Sequence, residues 1–276
     1  MLCVVALLGW ATSAHAALHT ETMEYTHGQT VLEGYLAYDD AVTIPRPGVL
    51  VVHEWMGLGP YAKHRAEQLA QLGYVAFAAD MYGKGVYAKD HEEAAKLSGL
   101  YRNDRQFMRA RIAAALDVLR KQPQVDAARI AAIGYCFGGT AVLELARSGA
   151  DVLGVVSFHG ALETPTPDDA KHIQAQVLAF QGAADPYVTA EQRAAFEREM
   201  QQANVDYQLV TYEGAVHSFT VPDAGNDPSQ GVAYDAAADQ QSWEAMKQFF
   251  RQIFREPNAG TVGLQPLDKR VNRRPI

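Results

Sequence analysis

The chain has 276 residues, 48% hydrophobic and 20% charged, a composition that suits one large soluble α/β domain better than two small ones. Its formal net charge of −8 offers no basic excess to neutralise phosphates, which argues against a nucleic-acid partner. No H-E-x-x-H motif, paired cysteines or clustered histidines suggest a metal site, and no cofactor is expected.

In chain order, residues 2–10 are apolar and Ser13-Ala14-His15-Ala16 supplies a small-x-small pattern. Together they predict a signal peptide over residues 1–16, cleaved after Ala16, and so a periplasmic or secreted protein without membrane contact once the leader is gone. No Lys or Arg precedes the apolar run, a departure from the usual leader, and the run is too short to span a bilayer. Removing it takes away Cys3 and no ionisable Asp, Glu, Lys or Arg, so the charge stays at −8 and Cys136 becomes the only cysteine. A disulfide within the mature chain is then impossible. A retained single thiol points toward use, with a buried inert cysteine as the alternative.

Residues 21–25 and 31–37 alternate around His27-Gly28-Gln29, which predicts an antiparallel hairpin. Residues 49–52 are wholly apolar, as in a strand buried on both faces. A helix over 61–72 stops at Gly73, and a strand over 74–79 follows. Residues 89–121 read as two helices broken near Asn103. Strands over 130–134, 152–158, 177–180 and 207–212 alternate with helices over 140–147 and 190–202, and a last helix covers 234–254. This alternation predicts a mainly parallel sheet with helices on both faces, as a single domain over 17–255, with function at the loops beyond the strands' carboxyl ends. Residues 256–276 contain Pro and Gly, end in basic residues and show no periodicity. They read as a loosely ordered tail, or as an arm packing on another subunit.

Gly134-Tyr135-Cys136-Phe137-Gly138-Gly139 stands between a predicted strand and a predicted helix. The glycines permit a sharp turn that would hold the thiol at a helix N-terminus, where unpaired N–H groups favour a thiolate. The same stretch alone also fits a packing site. After the strand over 177–180 comes Gln181-Gly182-Ala183-Ala184-Asp185-Pro186, and after the strand over 207–212 comes Glu213-Gly214-Ala215-Val216-His217-Ser218-Phe219. Nucleophile, acid and base thus follow one another in the chain order of an α/β-hydrolase triad. His217 would take the thiol proton and return it to the leaving group, while Asp185 would fix the imidazole tautomer.

With Val52-His53-Glu54-Trp55-Met56-Gly57 and Ala79-Asp80-Met81-Tyr82-Gly83, these motifs resemble the dienelactone hydrolase family over residues 20–255, and the late stretch containing Trp243 resembles its last helix. The resemblance implies an α/β-hydrolase fold, with Cys136 as nucleophile, His217 as base and Asp185 as orienting acid. It implies an oxyanion hole from the backbone N–H groups of Phe137 and Trp55, and Glu54 as a carboxylate controlling thiol ionisation. Two arginines of the family's namesake enzymes are replaced here by Lys84, which lacks a bidentate fork, and by Val221, which has no charge. Triad chemistry is therefore better supported than a carboxylated substrate. Tyr82, Trp55 and Phe219 are candidate pocket walls, His159 could reach the cleft, and His53 and His64 are assigned to the scaffold.

The expected activity is cysteine-dependent hydrolysis of a small lactone or ester through a thioester, by a monomer or small homo-oligomer. An exported esterase acting on neutral esters with the same triad is the alternative. A thiol redox or binding module on the same fold is the non-enzymatic one.

Overall fold

A computed structural model describes residues 18–255, so the predicted leader and C-terminal tail lie outside the described residues. Eight strands form one sheet in the order β1-β2-β4-β3-β5-β6-β7-β8. β1 (Leu18–His27) and β2 (Thr30–Asp39) make the expected antiparallel hairpin, turned at Gly28 with φ +59°. β2 also runs antiparallel to β4 (Val75–Ala79), whereas β4, β3 (Arg46–Val52), β5 (Val125–Tyr135), β6 (Gly154–Phe158), β7 (Gln176–Gly182) and β8 (Tyr207–Tyr212) are parallel.

The continuous apolar run of β3 is explained by cover on both faces. Leu50 and Val52 belong to one apolar layer shared with α2 (His91–Asn103), α3 (Arg105–Arg120), α4 (Phe137–Arg147) and α5 (Ala190–Gln202), which includes Tyr101, Ile112, Leu145 and Phe196. Val49 and Val51 belong to the opposite apolar layer, with α1 (Pro60–Gln71) and α6 (Ala236–Ile253), which includes Ala66, Leu69, Met246 and Phe250. The break between α2 and α3 falls at Asp104, whose carboxylate accepts from the Phe107 N–H and caps the second helix.

Several elements are longer than their patterns, β5 and α4 among them. β5 begins at Val125 because a register shift between Pro47 and Gly48 lets Asp126 pair with Pro47. α4 begins at Phe137 although Gly138 and Gly139 are poor helix formers, for a steric reason given below.

Candidate active site

The turn between β5 and α4 is tight. A Cβ on Gly134 would lie 2.0 Å from the Gly138 carbonyl oxygen, and one on Gly138 would lie 2.2 Å from that of Val52. Only glycine lets the helix start pack so closely on β3. Cys136, between them, takes φ +52° and ψ −113°, a strained conformation held by the surrounding packing. Its side chain stands at the head of α4, where the Phe137 N–H begins the row of donors without intrahelical acceptors.

His217 lies on the loop after β8. Its N–H donates to the Gly231 carbonyl at 3.2 Å, and its own carbonyl accepts from the Ala233 N–H at 3.1 Å. Nε2 sits 3.2 Å from Cys136 Sγ, and Nδ1 donates to Asp185 Oδ2 at 2.9 Å. Asp185, 4% exposed on the loop after β7, uses its other oxygen to accept the Tyr187 N–H at 2.8 Å. Burial alone would lower the pKa of His217. The Cys136 sulfur and the Asp185 carboxylate outweigh it and raise the group to about 10. The imidazole is thus held with one nitrogen on the sulfur and the other on a carboxylate, a geometry suited to passing a proton back and forth.

Glu54 is half-buried after β3. Burial pushes its carboxyl up to about 7, against the pull of the His217 charge and a hydrogen bond from Ser218. His53 fixes this loop: Nδ1 donates to the Glu54 carbonyl at 2.5 Å and Nε2 accepts the Met81 N–H at 3.2 Å. Tyr82 donates its hydroxyl to the Trp55 carbonyl at 2.9 Å, so the Trp55 peptide is tied to the Tyr82 side chain. Burial first, then the nearby Cys136 sulfur, raises the Tyr82 phenol.

Cys136, His217, Asp185, Phe137, Trp55, Glu54 and Tyr82 are therefore gathered in one region. Three other expectations are corrected. Lys84 turns to the hairpin, where its ammonium pairs with Glu24 and lies 3.9 Å from Glu33, because two carboxylates flank it there. Phe219 is fully buried, with its ring 5.4 Å from Tyr212, and belongs to the core rather than to a cleft wall. His159 is also fully buried, with both ring nitrogens bonded inside the protein, so it does not reach substrate. Val221 is buried too and brings no charge.

Sequence reasoning missed Ser218, which bonds Glu54, and Tyr187, whose exposed ring stands edge-on to His217 with centroids 5.2 Å apart. The nearness of Ser218 to His217 in the chain is the available signal. Nothing in the pattern around Tyr187 announced it. Among the described residues, no group of three or more His, Cys, Asp or Glu is placed to hold a metal ion.

Sheet order, strained elbow and post-strand loops define an α/β-hydrolase-type fold. A model of the dienelactone hydrolase family matches residues 32–254, and the chain belongs to that family. It is 43% identical to the crystal structure of a dienelactone hydrolase-like promiscuous phosphotriesterase from metagenomic libraries, with a TM-score of 0.81 over 86% of this chain and 99% of that one. A solved structure named m3DLH is 42% identical, with a TM-score of 0.83 over 87% of this chain and 100% of its own. A Bradyrhizobium protein named "Probable 2-oxo-3-(5-oxofuran-2-ylidene)propanoate lactonase" is 31% identical over 74% of this chain and 86% of its own length.

Proposed function

We propose that this dienelactone hydrolase family member cleaves a lactone or carboxylic ester through a thioester on Cys136. The observation that carries the reading is the 3.2 Å approach of His217 Nε2 to Cys136 Sγ, with Asp185 Oδ2 2.9 Å behind the ring. His217 takes the thiol proton as Sγ attacks the carbonyl carbon, a C–S bond forms, and the carbonyl π electron pair moves onto the oxygen. The backbone N–H groups of Phe137 and Trp55 would receive that oxyanion. Collapse breaks the C–O bond of the ester, and His217 gives its proton to the departing alkoxide, which remains tethered when the substrate is a lactone. His217 then takes a proton from water as the water attacks the thioester. The C–S bond breaks, the acid product leaves, and His217 returns the proton to the sulfur. The exported location predicted from residues 1–16 remains part of this proposal.

A second reading concerns substrate charge. Lys84 is engaged by Glu24 and Val221 is buried, so neither supplies a free cation for a substrate carboxylate. This favours neutral esters, and the 43%-identical metagenomic relative is named a promiscuous phosphotriesterase. The test is kcat/KM for a dienelactone beside that for a neutral aryl ester, with Cys136→Ala as the blank and intact-mass detection of the acyl adduct. The thioester predicts no turnover by the blank and an added acyl mass on the wild type. Activity that survives in Cys136→Ala removes the nucleophile assignment. A strong preference for the dienelactone overturns the neutral-ester reading alone.

A further inference from the structure

His159 takes no part in the chemistry above, yet it bonds the Cys136 backbone. It follows β6 with φ +41° and is fully buried. The Cys136 N–H is shared between the Phe158 carbonyl at 3.0 Å and His159 Nδ1 at 3.1 Å. A ring nitrogen that accepts carries no proton, so the proton is on Nε2, which donates to Thr220 Oγ1 at 2.8 Å. Thr220 belongs to the loop that carries His217. Its hydroxyl also accepts from the Tyr61 hydroxyl at 2.7 Å. Arg65 closes the cluster, donating to the Tyr61 hydroxyl at 3.2 Å, to the Thr220 carbonyl at 3.1 Å and to Asp239 at 2.5 Å.

Each nitrogen of one imidazole thus holds a different piece of the site. One binds the strained peptide of the sulfur, the other the segment bearing its base. Burial, the His217 charge and the Arg65 guanidinium all keep His159 neutral, so the acceptor on Nδ1 persists beside a charged His217.

We propose that His159 is a positioning residue that sets the separation of Cys136 Sγ and His217 Nε2 by tying the elbow to the base loop through Thr220. The proposal rests on the reading of Cys136 as nucleophile. Proximity alone makes such a tie consequential: a misplacement of about 1 Å costs on the order of 100-fold in rate.

The experiment replaces the acceptor while keeping its shape. Thr220→Val is expected to lower kcat on a neutral aryl ester by about tenfold with KM within about twofold, and to slow iodoacetamide alkylation of Cys136 by a similar factor. Thr220→Ser, which restores the hydroxyl, is expected to recover both. A wild-type kcat and alkylation rate in Thr220→Val, whatever its melting temperature, overturns the proposal. So does a Thr220→Ser variant as impaired as the valine, which would assign the effect to packing of the methyl group, or a change confined to KM. Should Thr220→Val fail to fold, Tyr61→Phe carries the same test, with a fall of about threefold expected in both rates and an unchanged protein as the overturning result. The alkylation rates report the hold on the sulfur independently of hydrolysis, so they stand even if Cys136→Ala were to retain activity and the thioester reading failed.

Discussion

Replacing Glu54 by glutamine should make the protein more stable, and only above mildly acidic pH. The carboxyl is raised from its ordinary 4.5 to about 7, chiefly by burial. A carboxylate with a higher pKa folded than unfolded binds its proton more tightly in the native state. Stability is therefore greatest below about 4.5 and declines as pH rises through about 7. At about 1.36 kcal/mol per unit, the rise sets an upper limit of about 3 kcal/mol at pH 8. Glu54 is only half-buried and water screens part of the effect, so about 1–2 kcal/mol is expected. That corresponds to a melting temperature higher by about 2–8 °C in Glu54→Gln at pH 8, with near coincidence at pH 5. His217, raised to about 10, contributes stability that is full below 6.5 and lost toward 10, but it is present in both proteins and its slope largely cancels in the difference. Thermal unfolding of both proteins at the two pH values is the assay. A gap that is the same at pH 5 and pH 8 would refute the reasoning, since a solvated carboxylate would then stand where a desolvated one is described.

Other perturbations have separate readouts. Asp185→Asn should lower kcat by about 10²- to 10⁴-fold with little change in KM, because the amide no longer fixes the His217 tautomer, while oxidation of Cys136 by peroxide changes far less. Equal losses in the two reactions would favour a redox thiol. Gly138→Ala forces a methyl within 2.2 Å of the Val52 carbonyl oxygen and should destabilise by about 1–3 kcal/mol or more, read by denaturant midpoint; an unchanged midpoint would mean that the elbow has room to move. Lys84→Ala should leave the ratio of kcat/KM for a dienelactone over a neutral aryl ester within about twofold, since the ammonium is spent on Glu24. A tenfold fall in that ratio would show that the ammonium leaves the hairpin to meet substrate.

Much of this architecture is written in local pattern. The strands 49–52 and 207–212 and the helix 190–202 are legible because apolar spacing and cover agree there. The start of α4 is not, since Gly138 and Gly139 lower helix propensity, and only contact with Val52 and the residues near Gly160 shows why they must be there. Among the candidate site residues, Cys136, Asp185 and His217 could be picked out because each follows a strand within a glycine-bearing motif. The directions of Lys84, Phe219 and His159 depend on partners distant in the chain: Glu24 on the hairpin for the first, the His159 ring for the second and Thr220 on another loop for the third. Position along the chain does not encode such partnerships.

The 81-residue interval between Cys136 and its imidazole has a consequence for synthesis. At a translation rate of about 5–20 residues per second, the thiol emerges about 4–16 seconds before its base exists. Throughout that interval the nascent chain carries an ordinary, unpaired cysteine. The Cys136–His217 pair arises when β8 adds to the edge of the sheet and delivers the His217 loop, so any chain ending before β8 contains the sulfur and lacks its imidazole partner.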